Sequence, residues 1–144
     1  MESPPSMASR HRSRHRAVQI LYQCDIRHIG VDEALAAYYD SLYSEEHEKQ
    51  PPRDGFMEEL VRGTYARSAE IDKQIVEHSE NWRIERMPAV DRNIIRMAIY
   101  ELMMKKIAPA IVIDEALDLS RRFSGDDSVG FVNGVLDSIR KQLV

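Results

Sequence analysis

Apolar residues recur at steps of three and four along most of this chain, and this periodicity constrains the fold more than any other feature. The clearest stripe would share one face of a helix and consists of Val90, Ile94, Met97, Ala98 and Leu102. No segment shows a convincing alternation of apolar and polar residues. Residues 110–113 have the composition of a strand but no second strand to pair with. The pattern therefore predicts an all-α fold, a bundle of about six or seven helices.

Capping and turn residues divide this pattern into segments. The first helix is expected to begin near Ser9 or Ser13 and to end near Gly30, and Asp32 opens the second. Residues 44–53 are mostly polar and include two adjacent prolines, which favours a loop.

The later helices are expected to begin at Asp54, Pro88, Pro109 and either Asp127 or Ser128. A break is expected near Ser68, and Gly125 fits the end of the helix before the last. Trp82 interrupts the pattern, so we expect it to anchor the core where two halves of the protein meet.

Length and composition set the expected domain organisation. A chain of 144 residues with 43% hydrophobic and 31% charged residues fits one compact domain or two small bundles that share a core, and it is too apolar to be wholly disordered. We expect a helical domain over residues 9–143, with subdomains of about 9–80 and 81–143. Residues 1–8 contain two prolines and little apolar content, so disorder is expected there, and Met7 is an alternative start that the sequence leaves open.

Several classes of protein and site are disfavoured. No apolar run approaches the roughly 18 residues of a membrane span, and the start of the chain lacks the apolar core of a secretory signal, so we expect a cytoplasmic protein. The single cysteine, Cys24, cannot form an internal disulfide, and its apolar neighbours favour burial. His11 and His15 lie four residues apart without an evident third ligand, so no metal and no cofactor are expected.

Carboxylates that could support catalysis are present without a catalytic arrangement. Glu115 and Asp118 would share a helix face, and Asp126 is adjacent to Asp127. Such pairs of carboxylates can bind Mg²⁺ or transfer protons, so a metal-dependent nuclease is a rival function. No His or Lys accompanies them, and the chain has no phosphate-binding glycine loop. We therefore expect no catalytic residues.

Charge is distributed unevenly along the chain. Four arginines and one glutamate give residues 1–16 a net charge of +3, so the remaining residues carry −7 of the total of −4. A cationic end on an acidic body indicates a local site for a polyanion. The alternative is a solvated tail without a ligand.

Four blocks near the C-terminus and one near the N-terminus occur in an order that resembles the NusB family of bacterial transcription antitermination factors. They are RHRAVQILY (14–22), MPAVDR (87–92), IYEL (99–102), IDEA (113–116) and FVNGVL (131–136). The resemblance covers about residues 9–143. It implies a fold of two small helical subdomains and a heterodimer with the small-subunit ribosomal protein NusE. That pair would bind boxA RNA in nascent ribosomal RNA leaders and join an antitermination complex on RNA polymerase. The resemblance leaves a homodimer open.

The resemblance implies an RNA surface formed by Arg10, His11, Arg12, Arg14, Asp127, Ser128 and Phe131. A guanidinium group can hold a phosphate through two hydrogen bonds and can stack on bases. On a helix the three arginines would spread over about 200°.

Phe131 would point about 100° away from the core position Val132, where it either stacks on a base or flanks the core. Asp127 is either a base contact or a helix cap. Gly130 and Gly134 would expose a strip of backbone to RNA or to a neighbouring helix.

The same resemblance implies a partner surface formed by Tyr22, Asp91, Arg92, Arg96 and Tyr100. Arg92, Arg96 and Tyr100 advance by four residues and would share one helix strip, and Tyr and Arg are common interface anchors. The alternative is a solvated face with an internal ion pair. Asp91 stands where many family members have glutamate. A protein-interaction module with nonspecific RNA affinity is the alternative function.

Overall fold

Within residues 7–42, 52–78 and 83–143, which the computed structural model describes, the protein has seven α-helices, one turn of 3₁₀-helix and no strand. The helices are α1 (Met7–Arg27), α2 (Val31–Leu42), α3 (Gly55–Ala66), α4 (Ser68–His78), α5 (Ala89–Met104), α6 (Pro109–Phe123) and α7 (Asp126–Leu143), with the 3₁₀ turn at Ile84–Arg86. The all-α prediction is confirmed. No helix in these ranges is long and apolar enough to span a bilayer.

Several helix boundaries match the capping residues. Asp54 caps α3, since its Oδ1 accepts a hydrogen bond of 3.0 Å from the backbone N–H of Met57. Pro88 and Ala108 stand immediately before α5 and α6. The expected break near Ser68 falls between α3 and α4. Gly125 has a φ of 109°, a conformation that a side chain would strain, and it turns the chain from α6 into α7.

Other boundaries differ from the prediction. The first helix begins at Met7 and includes Ala8, so it starts before Ser9, and Ser13 lies inside it, where it is buried. The last helix begins at Asp126, which places Asp127 and Ser128 in its first turn and not at the cap. The expectations for residues 1–6, for the loop over residues 44–51 and for Trp82 concern residues outside the described ranges.

The N-terminal unit extends to Arg62 and contains α1, α2 and the first part of α3. Its buried apolar residues include Ala17, Val18, Ile20, Leu21 and Cys24 from α1, Ala34 and Leu35 from α2, and Met57, Leu60 and Val61 from α3. Ile26 of α1 is an apolar residue outside this core and is 48% exposed. It lies in the last turn of α1, six residues beyond Ile20, and so points about 120° away from that core position.

The C-terminal unit begins at Gly63 and is built around α5, which contacts α4, α6 and α7. Ile94, Ile95 and Ile99 of α5 are fully buried. A Cβ atom added at Gly63 would overlap the ring of Tyr100, so glycine allows the end of α3 to approach that ring. The C-terminal unit includes α4, which packs on α5 and α7.

Candidate nucleic-acid interface

The arginines at the start of α1 lie in different environments. Arg10 and Arg14, four residues apart, share a helix face and both approach the ring of Phe56 in α3, with Cζ-to-centroid distances of 5.9 and 5.3 Å. Arg14 is only 2% exposed, and Nε of Arg10 is buried with no hydrogen-bond partner in the described residues. This burial assigns Arg14 to the packing of the N-terminal unit, which differs from the role that the resemblance implies.

Arg12 is the exposed arginine among these three. Its Nη2 donates a long hydrogen bond of 3.4 Å to Oγ of Ser9, and this bond lies at the surface. Its guanidinium group can therefore turn toward a phosphate with little loss of internal contact. His11 and His15 are half-buried on the same helix.

Asp54 joins α1 to the start of α3 within the N-terminal unit. Its two carboxylate oxygens accept hydrogen bonds of 2.8 and 2.9 Å from Oγ of Ser13, and Oδ2 accepts one of 3.0 Å from Nη1 of Arg16. Arg16 thus forms an ion pair inside the unit. The capping role of Asp54 was predictable from the sequence, but its hydrogen bonds to α1 were not.

A second polar cluster lies beside Asp54. The Tyr39 hydroxyl donates to Glu58 at 2.9 Å and accepts from the backbone N–H of Asp54 at 2.9 Å. Arg53 donates two hydrogen bonds to the carboxylate of Glu58. These bonds hold the pKa of Glu58 below its ordinary value although the residue is buried. Burial raises the pKa of the Tyr39 phenol, and burial likewise raises that of the Cys24 thiol.

The first two turns of α7 present polar and aromatic groups in the C-terminal unit. Asp127 is exposed and Phe131 is half-buried, whereas the adjacent Val132 is fully buried. Gly130 and Gly134 are exposed, and a Cβ atom added at either glycine would have no heavy atom within 4 Å. The two glycines therefore leave this strip of α7 without side chains.

Asp91 and Ser128, which the resemblance assigns to different surfaces, are hydrogen-bonded to each other. Asp91 is 3% exposed, and its carboxylate accepts from Oγ of Ser124 and, at 3.0 Å, from Oγ of Ser128. Asp91 therefore fastens the start of α5 to the turn between α6 and α7. Both residues position the first turn of α7, which is not the surface contact expected for either.

The remaining residues of the predicted partner surface are engaged to different degrees. Arg96 donates two hydrogen bonds to Asp72 of α4, of 2.8 and 3.0 Å, so the internal ion pair left open by the sequence is present. Arg92 is half-buried and donates to the carbonyl of Met87 at 3.2 Å. Tyr100 is 7% exposed. Tyr22, in the N-terminal unit, is half-buried.

Sequence reasoning missed the residues that hold the predicted site residues in place. Phe56 lies more than 40 residues from Arg10 and Arg14, so no local pattern linked it to them. Asp72 and Ser124 lie 24 and 33 residues from Arg96 and Asp91, so no local pattern could pair them. Among the described residues, no group of three or more His, Cys, Asp or Glu side chains could hold a metal ion.

Comparison with known proteins decides the family. The model of the NusB family matches residues 11–141. This chain belongs to the NusB family. The transcription antitermination protein NusB of Solibacter usitatus is 53% identical over 137 residues, which cover 95% of this chain and 92% of that protein. NusB of Streptomyces griseus is 46% identical, with 90% of each chain covered.

Solved structures of the NusB family are similar to this chain over nearly its full length. NusB of T. maritima superimposes with a TM-score of 0.79 at 30% identity and covers 99% of this chain and 94% of its own. A chain from a complex of the antitermination factors NusB and NusE with double-stranded RNA gives a TM-score of 0.81 at 27% identity and covers 95% and 99%.

Proposed function

We propose that this chain is a transcription antitermination adapter that binds boxA-type RNA of nascent ribosomal RNA leaders together with NusE. The proposal places the chain in the cytoplasm, in a complex with RNA polymerase, and gives it no catalytic role. The observation that carries it is the full-length similarity to a protein solved with NusE and RNA. The curated relatives, which are named as antitermination proteins, support the same function.

Each unit has residues that are proposed to contact RNA. In the N-terminal unit, Arg12 is exposed and would bind phosphate, with the half-buried His11 next to it in the sequence. Arg10 lies on another side of α1, where it approaches Phe56. In the C-terminal unit, the half-buried ring of Phe131 would stack on a base, and the exposed carboxylate of Asp127 would accept from a base amino group. Arg14 and Ser128 hold the surrounding structure.

Each unit also has residues that are proposed to contact NusE. Tyr22 belongs to the N-terminal unit, and Arg92 and Arg96 belong to α5 in the C-terminal unit. Half-buried aromatic and arginine side chains of this kind are frequent anchors of protein interfaces. Tyr100 and Asp91 shape α5 from inside the unit.

Binding of boxA RNA, measured by fluorescence anisotropy with and without NusE, tests the RNA assignment. Arg12→Ala is expected to weaken binding about tenfold, and Phe131→Leu, which keeps the apolar volume but removes the ring, by a similar factor. Arg27→Ala is the matched control, because Arg27 is an exposed arginine at the far end of the same helix. Unchanged affinity in both test variants, or equal affinity for a scrambled RNA, would overturn the assignment and favour a nonspecific interaction module.

A further inference from the structure

A cavity of about 410 Å³ lies at the end of the C-terminal unit where α5 ends and α6 begins. The last two turns of α7 complete its wall through Arg140 and Leu143. Clefts of about 300–1,000 Å³ are the size that encloses small ligands or a few side chains of a partner. The cavity therefore has room for large apolar groups.

The wall of this cavity combines apolar surface with positive charge. Leu102, Ile107 and Leu143 supply apolar surface. The cations that line it are Lys105, Lys106 and Arg140, and none of its lining residues in the described part of the chain has an acidic side chain. This concentration of positive charge occurs in a chain whose net charge is −4. The cavity is thus complementary to a group that is both apolar and negatively charged.

Lys105 occupies a backbone position that favours glycine. It follows the last residue of α5 with a φ of 57°, in the left-handed region that side chains rarely adopt. A lysine here places a cation at the cavity at the expense of some backbone strain. Replacing it with glycine therefore removes the charge without weakening the end of the helix.

The cavity is remote from the part of α7 assigned to RNA. Twelve residues separate Phe131 from Leu143 along α7, which corresponds to about 18 Å at the helical rise of 1.5 Å per residue. The turn between α6 and α7 is at the opposite end of α6 from the cavity. Occupation of one site leaves the other accessible.

We infer that this cavity docks an acidic segment of a protein partner, one that inserts apolar side chains between Lys105 and Arg140. An RNA backbone would satisfy the cations but leave the surfaces of Ile107 and Leu143 in water, whereas an acidic, apolar peptide satisfies both. The inference concerns a surface beyond the proposed RNA and NusE contacts, and it stands or fails independently of them.

A synthetic peptide in which Leu and Phe recur at helical spacing among Glu and Asp is the probe. With the full-length, isotopically labelled protein, we expect this peptide to shift the amide resonances of Leu102, Ile107 and Leu143 and to leave those of Gly130 and Phe131 unchanged. Two matched peptides control for its chemistry: one with Lys in place of the acidic residues, and one with Ser in place of Leu and Phe. Both are expected to bind at least about tenfold more weakly.

Variants of the protein identify the site of binding. Lys105→Gly combined with Arg140→Ala is expected to lower the affinity for the acidic peptide about tenfold or more, with no loss of thermal stability from the Lys105→Gly change. Lys141→Ala is the matched control, because Lys141 is adjacent to Arg140 but pairs with Asp137 outside the cavity; a change below about twofold is expected. Absence of binding, equal binding of either control peptide, equal loss in Lys141→Ala, or displacement of the peptide by an oligouridine RNA would overturn the inference.

Discussion

At the scale of single residues, the arginine-rich start of α1 shows that one residue type at regular spacing serves several roles. Positions two apart on a helix lie about 200° apart, so Arg12 is turned away from Arg10 and Arg14. The latter two approach Phe56, and Arg12 is exposed. The number of arginines therefore overstates the charge that is available to RNA.

Arg14→Ala is expected to lower the free energy of unfolding by about 2 kcal/mol, because it removes a buried side chain and its contact with the Phe56 ring. Arg12→Ala, at an exposed position on the same helix, is expected to change it by less than about 0.5 kcal/mol. Urea denaturation followed by circular dichroism measures both. Equal effects of the two substitutions would contradict this division of roles.

The pair formed by Arg53 and Glu58 predicts a dependence of stability on pH. The pKa of Glu58 is lower in the folded protein than its ordinary value, which is about 4.3. Its ionised form therefore stabilises the fold above that pH, and the stabilisation is lost as the pH falls through the folded-state pKa. Arg53→Ala removes the hydrogen bonds that depress this pKa, so acid unfolding should begin at a higher pH. Arg27→Ala, the control, should leave the midpoint of the acid transition in place.

At the scale of elements, capping chemistry predicted the starts of α3, α5 and α6, since a cap or a proline acts within one turn of its own position. It failed at Ser13. A serine is an equally good cap in isolation, but this one donates to Asp54, 41 residues away. Local signals therefore defined the helices wherever no distant residue competed for the same side chain.

Asp91 of α5 accepts hydrogen bonds from Ser124, in the turn after α6, and from Ser128 of α7. Its replacement should therefore destabilise the turn between α6 and α7. Asp91→Ala leaves the hydroxyls of Ser124 and Ser128 without their acceptor, at an expected cost of about 1–3 kcal/mol. Relative to the unsubstituted protein, we also expect Asp91→Ala to accelerate amide hydrogen exchange at the start of α7 more than in α4. A loss of stability with unchanged exchange in α7 would show that Asp91 does not hold this turn.

Gly63→Ala tests the approach of α3 to Tyr100. Alanine in place of a glycine inside a helix ordinarily stabilises by about 1 kcal/mol, but here its methyl group would overlap the Tyr100 ring, so a net loss of about 1–3 kcal/mol is expected. Gly134→Ala, in open space on α7, is the control and should be stabilising. Thermal unfolding distinguishes the two. In a Tyr100→Ala background the penalty at Gly63 should disappear.

At the scale of the whole molecule, helical periodicity sufficed for the fold class, and ordered blocks of sequence sufficed for the family. The contacts of the candidate site could not be predicted in the same way. The pairs Arg96–Asp72 and Asp91–Ser124 join residues 24 and 33 positions apart, and a single sequence carries no record of which distant side chains meet. The packing of α4 on α5 and α7 likewise depends on residues that are distant in the sequence.

The charge of the whole molecule predicts how binding to RNA responds to salt. The net charge of −4 opposes RNA, and the proposed RNA contacts include the cationic residues 1–16, which carry +3. Because few cations are available, log K for single-stranded boxA RNA should fall linearly with the logarithm of the salt concentration, with a slope of about −1 to −2. Each phosphate contact contributes about −0.7 to this slope. Arg12→Ala should reduce the magnitude of the slope by about 0.7, and Arg27→Ala should not change it. Filter-binding titrations over a range of potassium chloride concentrations measure this slope. A slope steeper than about −4, or the same slope and affinity for scrambled RNA, would mean that the chain binds RNA as a general polycation surface, which the distribution of its charges argues against.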